Sequence, residues 1–405
     1  MILHKRSGSA IVAGTFDTKA AELNYIADQL RAADVSVRTV DLSTRLPQSK
    51  ADVQPKDVAA CHPDGAKAVQ TGDRGSAVAA MSIAFENWVQ GNLDGIAGLI
   101  SAGGTGGTAL ASPAMRSLPV GVPKVLVSTV ASGDVGPYVG PSDMTMMYSV
   151  TDVQGLNPIS LQVLGNAAAA LAGMITFAPK QTSSSAHKTG LGLTMFGVTT
   201  TAVQTIVAQL ETDFEPYVFH ATGVGGRSME KLVDGGFIQA VIDTTTTEVC
   251  DLLFGGVFQA TEDRFGAVIR TKVPYVGSVG ALDMVNFGAP PTVPEKYAGR
   301  LFYEHNPQVT LMRTTVAENK EMGEWIVAKL NQMEGPVRFV LPNGGVSALD
   351  APDMPFEDTN ARNALFDAIR SGFRESENRK LIDTPHHIND PEFATLAANS
   401  LREIS

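Results

Sequence analysis

An apolar run, Ile96 to Ile100, ends in Ser101-Ala-Gly-Gly-Thr-Gly-Gly-Thr108, and a helical pattern starts at about Ala109. This order reads as a strand, a tight loop and a helix start. Glycine lets backbone amides approach a ligand closely, and a helix N-terminus adds partial positive charge. Together they make a cradle for an anion, most often phosphate. Gly104 to Ala109 fits the loose G-x-G-x-x-A dinucleotide pattern, but no acidic residue closes the next strand, Val122 to Val130. It is not a P-loop, because the Gly-Lys-Ser/Thr ending is missing. The plain alternative is a turn or a flexible linker.

The chain opens in a way that gives such a loop neighbours. Ile11 to Gly14 is a short buried strand, and Thr15 to Lys19 is the loop after it. Leu23, Ile26, Ala27 and Leu30 then form a core-facing helical stripe, with Thr18 as the expected N-cap. Val35 to Val40 is the next strand, ending at Asp41. A βαβ opening predicts a parallel sheet, and ligands bind beyond the carboxyl ends of such strands. Lys19 is there a candidate phosphate partner or a solvated surface lysine. Asp17 suits a helix cap, a ribose contact or a water-mediated Mg²⁺ ligand. Arg74 precedes a helix expected over 76–90 and is a second phosphate contact or a surface ion pair. Asp134 reads as a turn residue.

Composition narrows the partners. The formal net charge is −11, which argues against nucleic acid or an anionic membrane. Only Cys61 and Cys250 occur, so no disulfide framework is expected and a cytoplasmic, soluble protein is the simpler reading. The most apolar stretch, Ala167 to Ala178, falls short of the ~20 residues of a membrane helix.

Domains are expected at 1–178 and 191–405, joined by a Ser/Thr-rich linker at 179–190. The second half again alternates strands with helices. Strands are predicted at 191–196, 217–220, 240–242, 275–279, 301–303, 337–341 and 380–382. Polar clusters follow many of them. In Asp243-Thr-Thr-Thr-Thr-Glu248 the two carboxylates fit an acid–base pair, a metal site or an over-provided helix cap. His305, with Arg313 one short segment on, fits a carboxylate or phosphate substrate or a plain structural histidine. His386-His-Ile-Asn-Asp390 reads as a polar turn. No third ligand can be named for it, so no metal site is expected there.

Several of these segments resemble one known family. Gly14-Thr-Phe-Asp-Thr-Lys19, Val40-Asp-Leu-Ser-Thr44, Gly72-Asp-Arg-Gly75 and Gly103-Gly-Thr-Gly-Gly-Thr108 are similar to N-terminal motifs of the tobamovirus-resistance-protein-like ATP-binding family. The Asp243–Glu248 cluster, Glu304-His-Asn306 with Leu311-Met-Arg-Thr314, Asn343 to Asp350, and Ile388 to Phe393 are similar to its C-terminal motifs. The resemblance implies two Rossmann-like, doubly wound α/β domains with mainly parallel sheets, ATP in the first, and a homodimer. It carries nucleotide binding to Asp17, Thr18, Lys19, Thr44, Arg74, Gly104, Thr105, Gly106 and Gly107.

The expected function is ATP binding, with Mg²⁺, and ATP-dependent chemistry on a small anionic metabolite between the domains, using Asp243, Glu248 and His305. The alternatives are a non-catalytic ATP sensor and an NAD-dependent dehydrogenase. The last rests on Asp41, which stands where a ribose-binding acid belongs.

Overall fold

The computed structural model describes residues 3–4, 6–45, 48–179 and 188–405. The chain divides into two compact units, Met1–Ser183 and Ser184–Ser405. Most of the expected linker lies outside the described residues; Thr189 and Gly190 already belong to a strand.

Unit 1 contains strands β1 (Leu3–His4), β2 (Ser9–Gly14), β3 (Val37–Asp41), β4 (Ile96–Gly103), β5 (Lys124–Ser128), β6 (Thr145–Tyr148) and β7 (Ala178–Pro179). Its helices are α1 (Phe16–Ala32), α2 (Pro55–Ala59), α3 (Arg74–Gln90), α4 (Thr105–Ser117), α5 (Gly136–Val139) and α6 (Pro158–Thr176). Five strands form one parallel sheet in the order β3-β2-β4-β5-β6, and β1 pairs with β7 apart from it. Every residue of β4 is buried, as a strand covered on both faces requires. Leu23, Ile26 and Leu30 of α1 join Leu164 and Leu171 of α6 on one face. Met81 and Phe85 of α3 join Leu110 and Met115 of α4 on the other. Each such side chain contributes roughly 1.5–3 kcal/mol by leaving water.

Helix α6 starts with a capping box between Asn157 and Ser160 and Pro158 at its first position. At 19 residues it is longer than the apolar stretch expected, and by length and composition it is able to cross a membrane. Here its small-residue face packs on α1 and the sheet.

Unit 2 contains β8 (Thr189–Met195), α7 (Thr200–Leu210), β9 (Phe214–His220), α8 (Val224–Asp234), β10 (Ala240–Thr245), α9 (Glu248–Phe254), α10 (Gly266–Thr271), β11 (Tyr275–Gly280) and β12 (Met284–Phe287). There follow β13 (Phe302–Asn306), β14 (Val309–Arg313), α11 (Val316–Leu330), β15 (Val337–Pro342), α12 (Thr359–Gly372), β16 (Arg379–Thr384) and α13 (Pro391–Ile404). Six strands form a parallel sheet ordered β16-β15-β11-β10-β8-β9. Helices α7 and α13 cover one face, and α8, α10, α11 and α12 the other. Both units are thus doubly wound α/β structures, as expected.

The strand expected at 301–303 is real but lies elsewhere. It belongs to β13, in a separate antiparallel sheet ordered β12-β14-β13. Only Pro307 and Gln308 separate β13 from β14, and so short a connection leaves no room for a parallel crossover.

Candidate functional site

Strand order selects the first site. The chain passes from β2 outward to β3, then returns to the opposite side of β2 as β4. The crevice beyond the carboxyl ends of β2 and β4 is therefore the topological switch point of unit 1, where open α/β sheets bind ligands. Helices α1 and α4 both start there.

Their two N-termini are used differently. At α1, Phe16 N–H donates to Asp41 Oδ1 at 3.1 Å, and Asp17 N–H donates to Ser43 Oγ at 3.1 Å. Ser43 N–H also donates to Asp41 Oδ1, at 2.9 Å. Asp41 is fully buried. The acid that a dinucleotide reader would turn to ribose is here turned inward, as an internal anion on the α1 terminus. The expected N-cap Thr18 lies inside the first turn; the cap position belongs to Thr15. Thr18 Oγ1 bonds Thr15 Oγ1 at 2.9 Å.

At α4 the terminus is open. The helix starts at Thr105, not near Ala109, so Gly106 and Gly107 are its first turn rather than a loop before it. Gly104 occupies the N-cap position and no side chain caps the helix. The first-turn N–H groups have no intrahelical acceptor. Thr105 and Gly106 are exposed, and Gly104 and Gly107 half-buried. A Cβ built on Gly106 meets nothing within 4 Å. Nor does Gly106 have a positive φ. Glycine inside a helix costs roughly 1 kcal/mol against alanine. Neither packing nor backbone conformation calls for it here, whereas close approach by a ligand would.

The remaining unit 1 candidates gather at the same edge. Asp17 and Thr18 are exposed in the first turn of α1, and Thr44 follows Ser43, which holds that turn. Arg74 is the first residue of α3, exposed and preceded by the capping residue Asp73. Since α3 runs back to the start of β4 and packs on α4, its N-terminus lies at the carboxyl edge too. Lys19 interrupts the helical backbone (φ −131°, ψ 26°), and its Nζ donates to the Val153 carbonyl in the loop after β6. The Asp17 carboxylate is exposed, and among the described residues no side chain pairs with it.

Unit 2 places its candidates otherwise. Asp243 and Glu248 are fully buried around Arg264. The guanidinium reaches Asp243 Oδ2 at 2.7 Å, Glu230 Oε1 at 2.8 Å and Glu248 Oε2 at 3.1 Å. Thr194 Oγ1 donates to Asp243 Oδ1 at 2.6 Å and Tyr275 OH to Oδ2 at 3.2 Å. Burial alone would lower the Arg264 pKa, but Asp243, Glu230 and Glu248 hold it well above its ordinary value. Burial raises Glu230 despite the Arg264 charge beside it. Every oxygen of the Asp243–Glu248 pair is thus engaged in holding the fold. Nothing local in the sequence signals Arg264, Glu230 or Tyr275 as their partners.

Glu248 also fills a second glycine-rich turn. Its Oε1 accepts from Gly223 N–H at 2.6 Å and Gly226 N–H at 3.0 Å, at the start of α8. A Cβ on Gly226 would lie 2.0 Å from Glu248 Oε2. The anion cradle of Thr222 to Gly226 therefore holds the protein's own carboxylate. His305 is apart from this network, exposed on β13.

A buried acid elsewhere in unit 2 gives a pH dependence. Asp251 accepts from Phe258 N–H and Asn286 N–H, both at 2.8 Å, yet burial raises its pKa from 3.8 to about 7. A raised folded pKa means that the bound proton stabilises the fold fully below 3.8, and that this contribution is lost as pH rises through 7. Between about pH 5.5 and 8.5 the loss is on the order of 2 kcal/mol. Denaturant unfolding at those two pH values should show it, and Asp251→Asn should flatten the slope.

The N-terminal domain of an uncharacterised protein family (UPF0261) matches residues 8–180, and the C-terminal domain of that family matches residues 188–405. A UPF0261 protein of Rhizobium meliloti is 54% identical over 395 residues, which is 97% of this chain and 98% of the relative. ToMV resistance protein Tm-1(GCR237) of Solanum lycopersicum is 45% identical over 97% of this chain and 55% of its own length. The tomato ToMV susceptible protein tm-1(GCR26) is 44% identical over the same shares.

Proposed function

The chain belongs to the uncharacterised protein family UPF0261, and from that premise we propose that unit 1 binds ATP with Mg²⁺ at the switch point between β2 and β4. The observation that carries this reading is the uncapped first turn of α4, with a glycine that the fold does not need. Its amides would take phosphate oxygens, and Lys19 and Arg74 would supply the positive charge. Asp17 would hold the Mg²⁺, which neutralises phosphate charge when bound. Thr18 and Thr44 offer hydroxyls at the same rim. NAD is disfavoured because Asp41 is fully buried and its Oδ1 braces the α1 start, which turns the acid away from a ribose at the rim.

The locked state of Asp243 and Glu248 favours a second reading over an enzyme built on that pair: an ATP-responsive protein that passes nucleotide occupancy to a small anionic metabolite or to a protein partner. A cytoplasmic homodimer belongs to the same proposal; both cysteines are free. Tobamovirus resistance stays with the tomato protein. Its resistant and susceptible forms match this chain at 45% and 44%, so the shared fold does not account for the difference between them.

Calorimetry tests the binding. One ATP per chain is expected, not two, because the glycine-rich turn that opens α8 in unit 2 is already filled by the Glu248 carboxylate. NAD should give no thermal shift under conditions where ATP does. Lys19→Ala should weaken ATP by about tenfold, the size expected for one charge-assisted phosphate contact. Equal shifts from ATP and NAD, or an unaltered Lys19→Ala affinity, would refute the assignment.

A further inference from the structure

The turn after β16 brings together three groups that the nucleotide reading leaves unused. His386, Asp390 and Glu392 each offer one ligand atom, and these atoms all lie within 4.8 Å of one another. In the sequence His386 and Asp390 stand without an evident third ligand, and the fold supplies Glu392. Pro391 starts α13 and sets Glu392 in its first turn, on the same side as the other two.

Their ordinary roles do not account for the arrangement. Asp390 stands at the N-cap position of α13 but makes no capping hydrogen bond. Its Oδ2 instead accepts from His387 N–H at 2.8 Å and lies 3.9 Å from His386 Nδ1, too far for a hydrogen bond. Among the described residues, no lysine or arginine pairs with Asp390 or Glu392. Two carboxylates therefore crowd one imidazole with no cation to balance them.

The turn itself is firmly held. Gly344 N–H donates to the His386 carbonyl at 3.2 Å, and His387 uses Nε2 on the Ser347 carbonyl at 2.9 Å. Asn389 N–H donates to His387 Nδ1 at 3.0 Å, so both His387 nitrogens are engaged and His386 is the imidazole left for a ligand. Asn389 reaches across to the start of α7, donating to the Val198 carbonyl at 3.0 Å and accepting from Ala202 N–H at 3.3 Å. That segment follows β8, which is flanked by β9 and β10 and so borders the switch point of unit 2.

We propose that His386, Asp390 and Glu392 bind one divalent transition-metal ion. A neutral imidazole and two carboxylates balance a 2+ charge, offsetting the unfavourable field of the α13 N-terminus. One nitrogen and two oxygen donors suit Mn²⁺, Fe²⁺ or Zn²⁺ better than Ca²⁺ or Mg²⁺, which prefer all-oxygen sites. Three protein ligands leave positions for water or for a small oxygen-donor ligand such as a carboxylate.

The test needs no nucleotide. Chelator-treated protein is titrated with Mn²⁺ followed by electron paramagnetic resonance, and with Zn²⁺ by calorimetry. One ion per chain is expected. His386→Ala and Glu392→Ala, both on partly or fully exposed side chains, should each weaken binding by at least about tenfold without changing the melting of the metal-free protein. Gly106→Val should bind metal like the parent, which separates this site from that of unit 1. Failure of the parent protein to take up either ion at millimolar concentration, or parent-like uptake by both ligand variants, would overturn the proposal.

Discussion

Gly106→Val is expected to fold normally and to lose at least about tenfold in ATP affinity. The first half of that expectation is steric. A Cβ at position 106 meets nothing within 4 Å, and the backbone there is helical rather than left-handed. The milder Gly106→Ala should even stabilise unit 1, by about 0.5–1 kcal/mol, because alanine has the higher helix propensity and loses less entropy on folding. The second half is about access. If phosphate oxygens sit against the first-turn amides of α4, a branched side chain projecting there keeps them from hydrogen-bonding range. Gly103 is the control on the other side of the argument: its Cβ would approach Gly107 Cα to 3.2 Å, so Gly103→Ala should disturb the turn itself. Melting curves and calorimetry on the three variants separate the effects. A Gly106→Val protein that folds and still binds ATP like the parent would remove the observation on which the nucleotide site rests.

Arg264→Leu should produce the largest loss of stability, about 3–5 kcal/mol, which is roughly 10 °C in the melting of a unit this size. The substitution leaves Asp243, Glu248 and Glu230 buried without their cation. Uncompensated charge in a low-dielectric interior is far more costly than the pairing itself is stabilising. Arg270 offers the comparison. It also bridges two carboxylates, Asp234 and Asp263, but its side chain is 49% exposed. Arg270→Leu should cost at most about 1 kcal/mol, because water solvates what the pair leaves behind. Similar melting shifts for the two variants would mean that the Asp243–Glu248 cluster is not the buried ionic core described above.

The expected and observed structures part where contacts are long-range. Asp41 was legible as an acid closing the second strand, but not as the brace of the α1 start, because its partner Phe16 lies 25 residues away. Asp243 and Glu248 look like a reactive pair when read in a row. Arg264, 21 residues beyond Asp243, turns them into a buried salt-bridge cluster. Helix α4 starts four residues before the expected Ala109 because glycines are poor helix formers, and an uncapped glycine turn looks like a loop.

By itself the sequence determined the architecture: two runs of apolar strands alternating with amphipathic helices can bury their faces only as doubly wound sheets. It also determined that Lys19, Thr44 and Gly104 to Gly107 stand at carboxyl ends, because that follows from element order alone. Only the tertiary structure decided which helix starts are filled and which stay open. Asp41 and Glu248 reach the termini of α1 and α8 across long sequence separations, and no local pattern records that, among the described residues, no side chain caps the terminus of α4.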